Sequence, residues 1–157
     1  MRRRANSPSD LSAVLKSPTR NPARLLHDLR SLIEQARERV AQSVNSELVR
    51  LYWQVGARIR KDILHNRRAS YGEQIVPTLS AQLERDFGPG FGTRNLFRMI
   101  RFAEVFPDPR IVSTLSSRLS WSHFLEIIRL EDSLQQEFYA ELCRLERWSV
   151  RTLREKV

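Results

Sequence analysis

The chain has one cysteine, Cys143, and so cannot form an intrachain disulfide. A lone thiol fits a reducing compartment, and a cytoplasmic protein is expected. No apolar run approaches the roughly 18 residues of a membrane span, so no membrane partner is expected. Met1-Arg2-Arg3-Arg4 has the charge of a signal-peptide start, but no apolar segment follows it. Lysine is scarce too: only 3 of the 27 basic residues are Lys, and 24 are Arg.

The residues of common catalytic sites are equally thin. His27, His65 and His123 lie far apart and share no metal-ligand spacing with Cys143, so neither a metal nor a cofactor is expected. No phosphate-binding glycine loop, dinucleotide fingerprint or HExxH pattern occurs. A PD-(D/E)XK nuclease would need an acid two residues before a lysine. Two residues before Lys16, Lys61 and Lys156 stand Val14, Ile59 and Arg154, and Pro107-Asp108 is an isolated PD pair. The chain is therefore not expected to be an enzyme.

What is present is positive charge. Twenty-seven basic residues against 18 acidic ones give a net charge of +9 over 157 residues, enough for one domain with a tail. Such an excess fits an acidic partner, and arginine in particular makes bidentate contacts with phosphates and guanine edges. Residues 1–22, rich in Ser, Pro and Arg, are expected to be a disordered basic tail. Residues 23–157 are expected to form an all-α domain.

Apolar residues at Leu25, Leu29, Leu32, Ile33, Ala36, Val40, Val44, Leu48, Leu51, Tyr52, Val55, Ile59 and Ile63 recur in steps of three and four. They predict one long N-terminal helix with a core-facing stripe, too long for a small domain to cover. A homodimer through residues 25–64 would bury the remainder. Ser70 and Glu73 have capping-box spacing, predicting a second helix from about Tyr71, or from Gln74 if Pro77 belongs to its first turn. Phe87 to Gly92 holds three of the five glycines and predicts a turn. Thr93 is the expected N-cap of a third helix, ended by Pro107 and Pro109. Further helices are expected from Trp121, capped by Ser120; from Ser133 to Arg147; and after Ser149.

The third helix carries the functional expectation. Arg94, Arg98 and Arg101 share one face, with Asn95 beside it, and Leu96, Met99, Ile100, Ala103 and Phe106 lie opposite. The second helix, turn and third helix make a helix-turn-helix outline, in which the start of the second element reads the major groove. The expected nucleic-acid contacts are Thr93, Arg94, Asn95, Arg98 and Arg101, with Arg67 and Arg68 gripping backbone. Arg pairs with guanine, Asn pairs with adenine, and a helix start holds phosphate.

Six strings in order carry a resemblance. They are Leu51-Tyr52-Trp53-Gln54-Val55-Gly56, Tyr71-Gly72, Leu79-Ser80, Gly90-Phe91 with Arg94-Asn95-Leu96, Leu119-Ser120-Trp121-Ser122-His123, and Trp148-Ser149-Val150-Arg151. Over residues 25–157 the chain resembles the N-terminal domain of the bacterial YhcG-type proteins. Phe91-Gly92-Thr93 departs from the commoner Phe-Ser-x before Arg-Asn-Leu. The resemblance implies a DNA-binding half whose C-terminal PD-(D/E)XK nuclease domain is absent from this chain. The combined expectation is an all-α module, with a long N-terminal helix and a helix-turn-helix-like core, that binds duplex DNA and targets an attached or partner nuclease. The alternative is a protein-interaction or dimerisation module whose basic surface is incidental.

Overall fold

A computed structural model describes residues 22–66, 68 and 70–157. The tail expected over residues 1–22 lies outside them, apart from Pro22. Among the described residues there are seven α-helices and no strand. They are α1 (Pro22–His65), α2 (Tyr71–Phe87), α3 (Thr93–Val105), α4 (Pro109–Ser116), α5 (Trp121–Ile127), α6 (Ser133–Glu146) and α7 (Val150–Lys156), with a 3-10 turn at Pro89–Phe91 between α2 and α3.

The chain divides into two units after Val40. In the first unit, Leu25, Leu26, Leu29, Leu32, Ile33 and Val40 of α1 are all exposed. In the second unit, α1 buries Val49, Tyr52, Gly56 and Ile59, whereas Val44, Leu48 and Leu51 stay exposed. The apolar stripe is thus not one core face. Repeated steps of four gain about 40° per step on a helix of 3.6 residues per turn, so the stripe drifts around the cylinder.

The core has two connected parts. Val49, Phe102, Phe106, Leu119, Phe124, Ile127 and Leu153 belong to one, and Tyr52, Ile59, Val76, Leu96 and Met99 to the other. Trp121 packs against both. Its ring centroid lies 5.0 Å from that of Tyr52 and 5.3 Å from that of Phe102, both edge-on, a favourable aromatic geometry.

Three local expectations need correction. Ser70 sits at φ 62° and makes no side-chain capping bond, so no capping box opens α2. An N-cap that accepts from the next turn needs extended backbone. α2 starts at Tyr71 as expected and holds Pro77 in its interior, so the alternative start at Gln74 falls. Pro109 is a starter rather than a stop, and opens the unexpected helix α4. Its fixed φ suits the first helical position, and the carboxylate of Asp108 accepts from the Arg110 N–H at 2.9 Å. The Arg110 guanidinium, bonded to the same carboxylate, and then that backbone bond hold the Asp108 carboxyl below its ordinary range.

α1 also supplies a cap for α4. Asn45 donates to the carbonyls of Ser116 and Leu119 at 3.2 and 2.9 Å, Ser46 donates to Ser116 at 2.9 Å, and Gln42 donates to Ser117 at 3.2 Å. These side chains satisfy carbonyls that a helix end leaves without intrahelical partners. At the other end of this region, the Trp53 indole N–H donates to the Phe106 carbonyl at 2.7 Å, where α3 ends.

Candidate nucleic-acid interface

α3 has a buried and an exposed side, but not quite the expected ones: Phe102 is buried, Ile100 is only half-buried, and Phe97 is exposed. Leu96, Met99, Phe102 and Ala103 are buried, Arg94 is exposed, and Arg98 and Arg101 are half-exposed. Among the described residues no carboxylate lies within ion-pair distance of Arg94 or Arg98. Arg101 meets Glu104 at 3.4 Å in a solvent-exposed pair, an interaction of small net worth. All three guanidinium groups are accessible.

Thr93 is not the N-cap. The cap position falls on Gly92, with extended backbone at φ −61° and ψ 157°, and Thr93 is the first helical residue. Any contribution of Thr93 to anion binding therefore comes from the exposed first-turn N–H groups of α3 and not from a capping hydroxyl.

Asn95 also differs from its expected role. Its Nδ2 donates to the Gly90 carbonyl at 2.6 Å, and its Oδ1 accepts from the Trp121 indole at 3.2 Å. The amide edge that would pair with adenine is committed inside the fold, where it ties the glycine turn to α5. Arg67 lies outside the described residues. Arg68 is exposed in the α1–α2 connection, and its N–H donates to Asn66 Oδ1 at 3.0 Å. Neither Arg68 nor the neighbouring Arg58, Arg60 and Lys61 lines the hollow beside α3.

That hollow was not foreseen. It has a volume of about 760 Å³ and lies between α3, α5 and α7. Arg94, Arg98 and Arg101 form one wall, Arg129 and Arg154 contribute from the other side, and Phe97, Leu125 and Ile128 add apolar surface. The one carboxylate among the lining residues is Glu126, whose side chain is only 15% exposed. It accepts from Arg154 Nε at 2.7 Å and from Arg129 Nη1 at 3.2 Å. Five arginines thus converge on one concavity and a single acid holds two of them. Phe97, Glu126, Arg129 and Arg154 are the residues that sequence reasoning missed. Only their spatial convergence marks them.

His123 is a structural residue. Its Nδ1 accepts from the Ser120 N–H at 3.0 Å, which leaves the proton on Nε2 to donate to the Trp148 carbonyl at 2.7 Å. The histidine stands where a capping box usually has Glu or Gln, and it joins the start of α5 to the segment before α7. Among the described residues no three His, Cys, Asp or Glu side chains are placed to hold a metal, and no helix is long and apolar enough to cross a membrane.

Fold and hollow together define an all-α domain with an arginine-lined concavity. The chain matches the model of the DUF1016 N-terminal domain over residues 28–157, and it belongs to that family. It is similar to the "Putative nuclease YhcG" of Escherichia coli (strain K12), with 32% identity over 97 residues. That match covers 60% of this chain and 26% of the relative, so the matched stretch is about a quarter of that protein's length. The YhcG-type resemblance of the six strings is thereby shown. No solved structure matches the chain.

Proposed function

We propose that this domain binds nucleic acid, duplex DNA in the first instance, and delivers it to a nuclease that is attached or is a partner. The observation that carries this reading is the convergence of Arg94, Arg98, Arg101, Arg129 and Arg154 on one hollow. A duplex is a dense line of phosphates, and guanidinium groups bind them in bidentate fashion while releasing counterions. α2, the turn at Gly88–Gly92 and α3 form the helix-turn-helix-like unit, with Arg94 at the leading end of α3 to meet base edges. Arg98 and Arg101, further along, meet backbone. The resemblance to a protein named as a nuclease supports the delivery role.

Fluorescence anisotropy against a labelled duplex, at a series of salt concentrations, tests this. If three to five phosphates are neutralised, log K should fall with log salt at a slope of about −3 to −4.5. Absence of binding at low salt, or binding indifferent to salt, would refute it.

A second reading rests on a different observation. Leu25, Leu29, Leu32, Ile33 and Val40 are exposed on α1 in the first unit, and Val44, Leu48 and Leu51 are exposed on it in the second. Such patches mark interaction surfaces, and a second copy of α1 would cover them. Leu48 is exposed, so Leu48→Glu should weaken self-association in sedimentation velocity with little change in melting temperature. A parent protein that stays monomeric at high micromolar concentration rules the dimer out.

A further inference from the structure

We infer that the hollow beside α3 takes an unpaired nucleotide adjoining the duplex, with its base stacked on Phe97. This rests on the reading of α3 as a nucleic-acid face, and it narrows the ligand to DNA with an unpaired end or branch.

One large apolar residue of α3 is not used by the core. On α3, Leu96, Met99 and Phe102 are fully buried, whereas Phe97 is 43% exposed. It lines the same hollow as Arg94, Arg98 and Arg101, where Leu125 and Ile128 supply further apolar surface. Phosphate binding alone requires none of this. The outer surface of an intact duplex presents phosphate and sugar, and its base faces are covered by stacking. The ligand group that is flat, apolar on both faces and covalently joined to phosphates is a nucleobase freed from its stack. An aromatic ring flanked by guanidinium groups suits it, since the ring stacks and arginine adds a cation–π contact.

The geometry of the far wall fits the same ligand. Glu126, nearly buried, fixes Arg154 at 2.7 Å and Arg129 at 3.2 Å. These two cations line the same hollow as the three on α3. Arginines from α3 and from the α5 and α7 side, with apolar side chains in the same hollow, suit a strand whose base enters the hollow while its phosphates run along the rim. The volume of about 760 Å³ lies within the range of about 300–1,000 Å³ usual for pockets that enclose small molecules.

The test compares a blunt duplex with the same duplex carrying a short single-stranded overhang, each titrated by anisotropy with the parent, Phe97→Ala and Phe97→Trp proteins. Melting curves are recorded in parallel to show that the variants fold. The parent should favour the overhang roughly 5- to 150-fold, the worth of one stacked base. Phe97→Ala should bring that ratio close to one, and Phe97→Trp should restore it. Equal binding of both probes by the parent, or a preference that survives in Phe97→Ala, overturns the stacking inference and leaves the α3 reading standing. Binding to neither probe overturns both.

Discussion

Gly56 of α1 and Met99 of α3 meet backbone to backbone: a Cβ added at Gly56 would lie 1.9 Å from the Met99 carbonyl oxygen and 2.3 Å from its carbon. Neither atom belongs to a flexible side chain, so nothing can swing aside. The glycine thus sets how closely α1 passes the helix that carries Arg94, Arg98 and Arg101.

Gly56→Ala is the most damaging small substitution expected in this domain. Alanine normally favours a helix over glycine by about 1 kcal/mol, so on propensity alone the change would stabilise. The clash reverses the sign. Overpacking typically costs roughly 1–3 kcal/mol, and collision with rigid backbone puts this case at the upper end or beyond. Thermal denaturation followed by circular dichroism should show a large fall in melting temperature. An unchanged or raised value would mean that the close approach is not there.

Asn45→Ala should also destabilise. It removes the amide that serves the Ser116 and Leu119 carbonyls; Ser46 still donates to Ser116, so the loss falls on the Leu119 carbonyl, at a cost of about 1–3 kcal/mol. Asn45 is more than 70 residues from these partners in sequence, so the effect should be global and cooperative. Urea denaturation measures it, and a change below about 0.5 kcal/mol would contradict the capping role.

Asn95 distinguishes two roles for one side chain. Were it a base-reading group, Asn95→Ala would relax sequence preference and leave stability alone. Because it links Gly90 to Trp121, the expected outcome is a lower melting temperature, by an amount equivalent to about 1–3 kcal/mol. Sequence preference among duplexes should change little in protein that remains folded. Selection of binding sites from a randomised duplex, done for parent and variant, gives the second readout.

Cys143 should be silent in the native protein. It is buried, and burial pushes its thiol up to about 11. The thiolate is the reactive form, so at neutral pH almost none is present. Native protein should resist maleimide labelling, and denaturant should expose one fast-reacting thiol. Rapid labelling without denaturant would show that α6 opens easily.

The all-α class was legible because apolar spacing near 3.6 is continuous, and α6 was placed almost residue for residue. α4 was hidden because Pro107 and Pro109 both read as breakers, although a proline that ends one helix can equally start the next. The buried face of α1 was misjudged because drift in the stripe is visible only when each step is turned into an angle. Asn95 looked outward because the helical wheel sets it beside Arg94. The hydrogen bond that draws it inward comes from Trp121, which local periodicity cannot bring near.

Five of the six strings behind the family resemblance prove to touch one another. Ser80 Oγ donates to the Phe91 carbonyl at 2.9 Å, Asn95 joins Gly90 to Trp121, Trp121 packs on Tyr52, and His123 bonds the Trp148 carbonyl. These residues record the joints of the fold. The arginine wall was legible only on α3, since Arg129 and Arg154 reach it through the packing of α5 and α7.

The most direct test of the nucleic-acid reading replaces Arg94, Arg98 and Arg101 together by alanine. The control is an equally charged triple variant away from the hollow, Arg110→Ala, Arg118→Ala and Arg144→Ala. Both proteins are titrated against one duplex over a range of salt, with melting curves beside them. The α3 variant should melt like the parent, bind far more weakly, and show a salt slope reduced by about three, one for each phosphate that the variant no longer neutralises. The control should keep most of the parent's affinity. An α3 variant that folds normally and binds with the parent's affinity and slope would contradict the account.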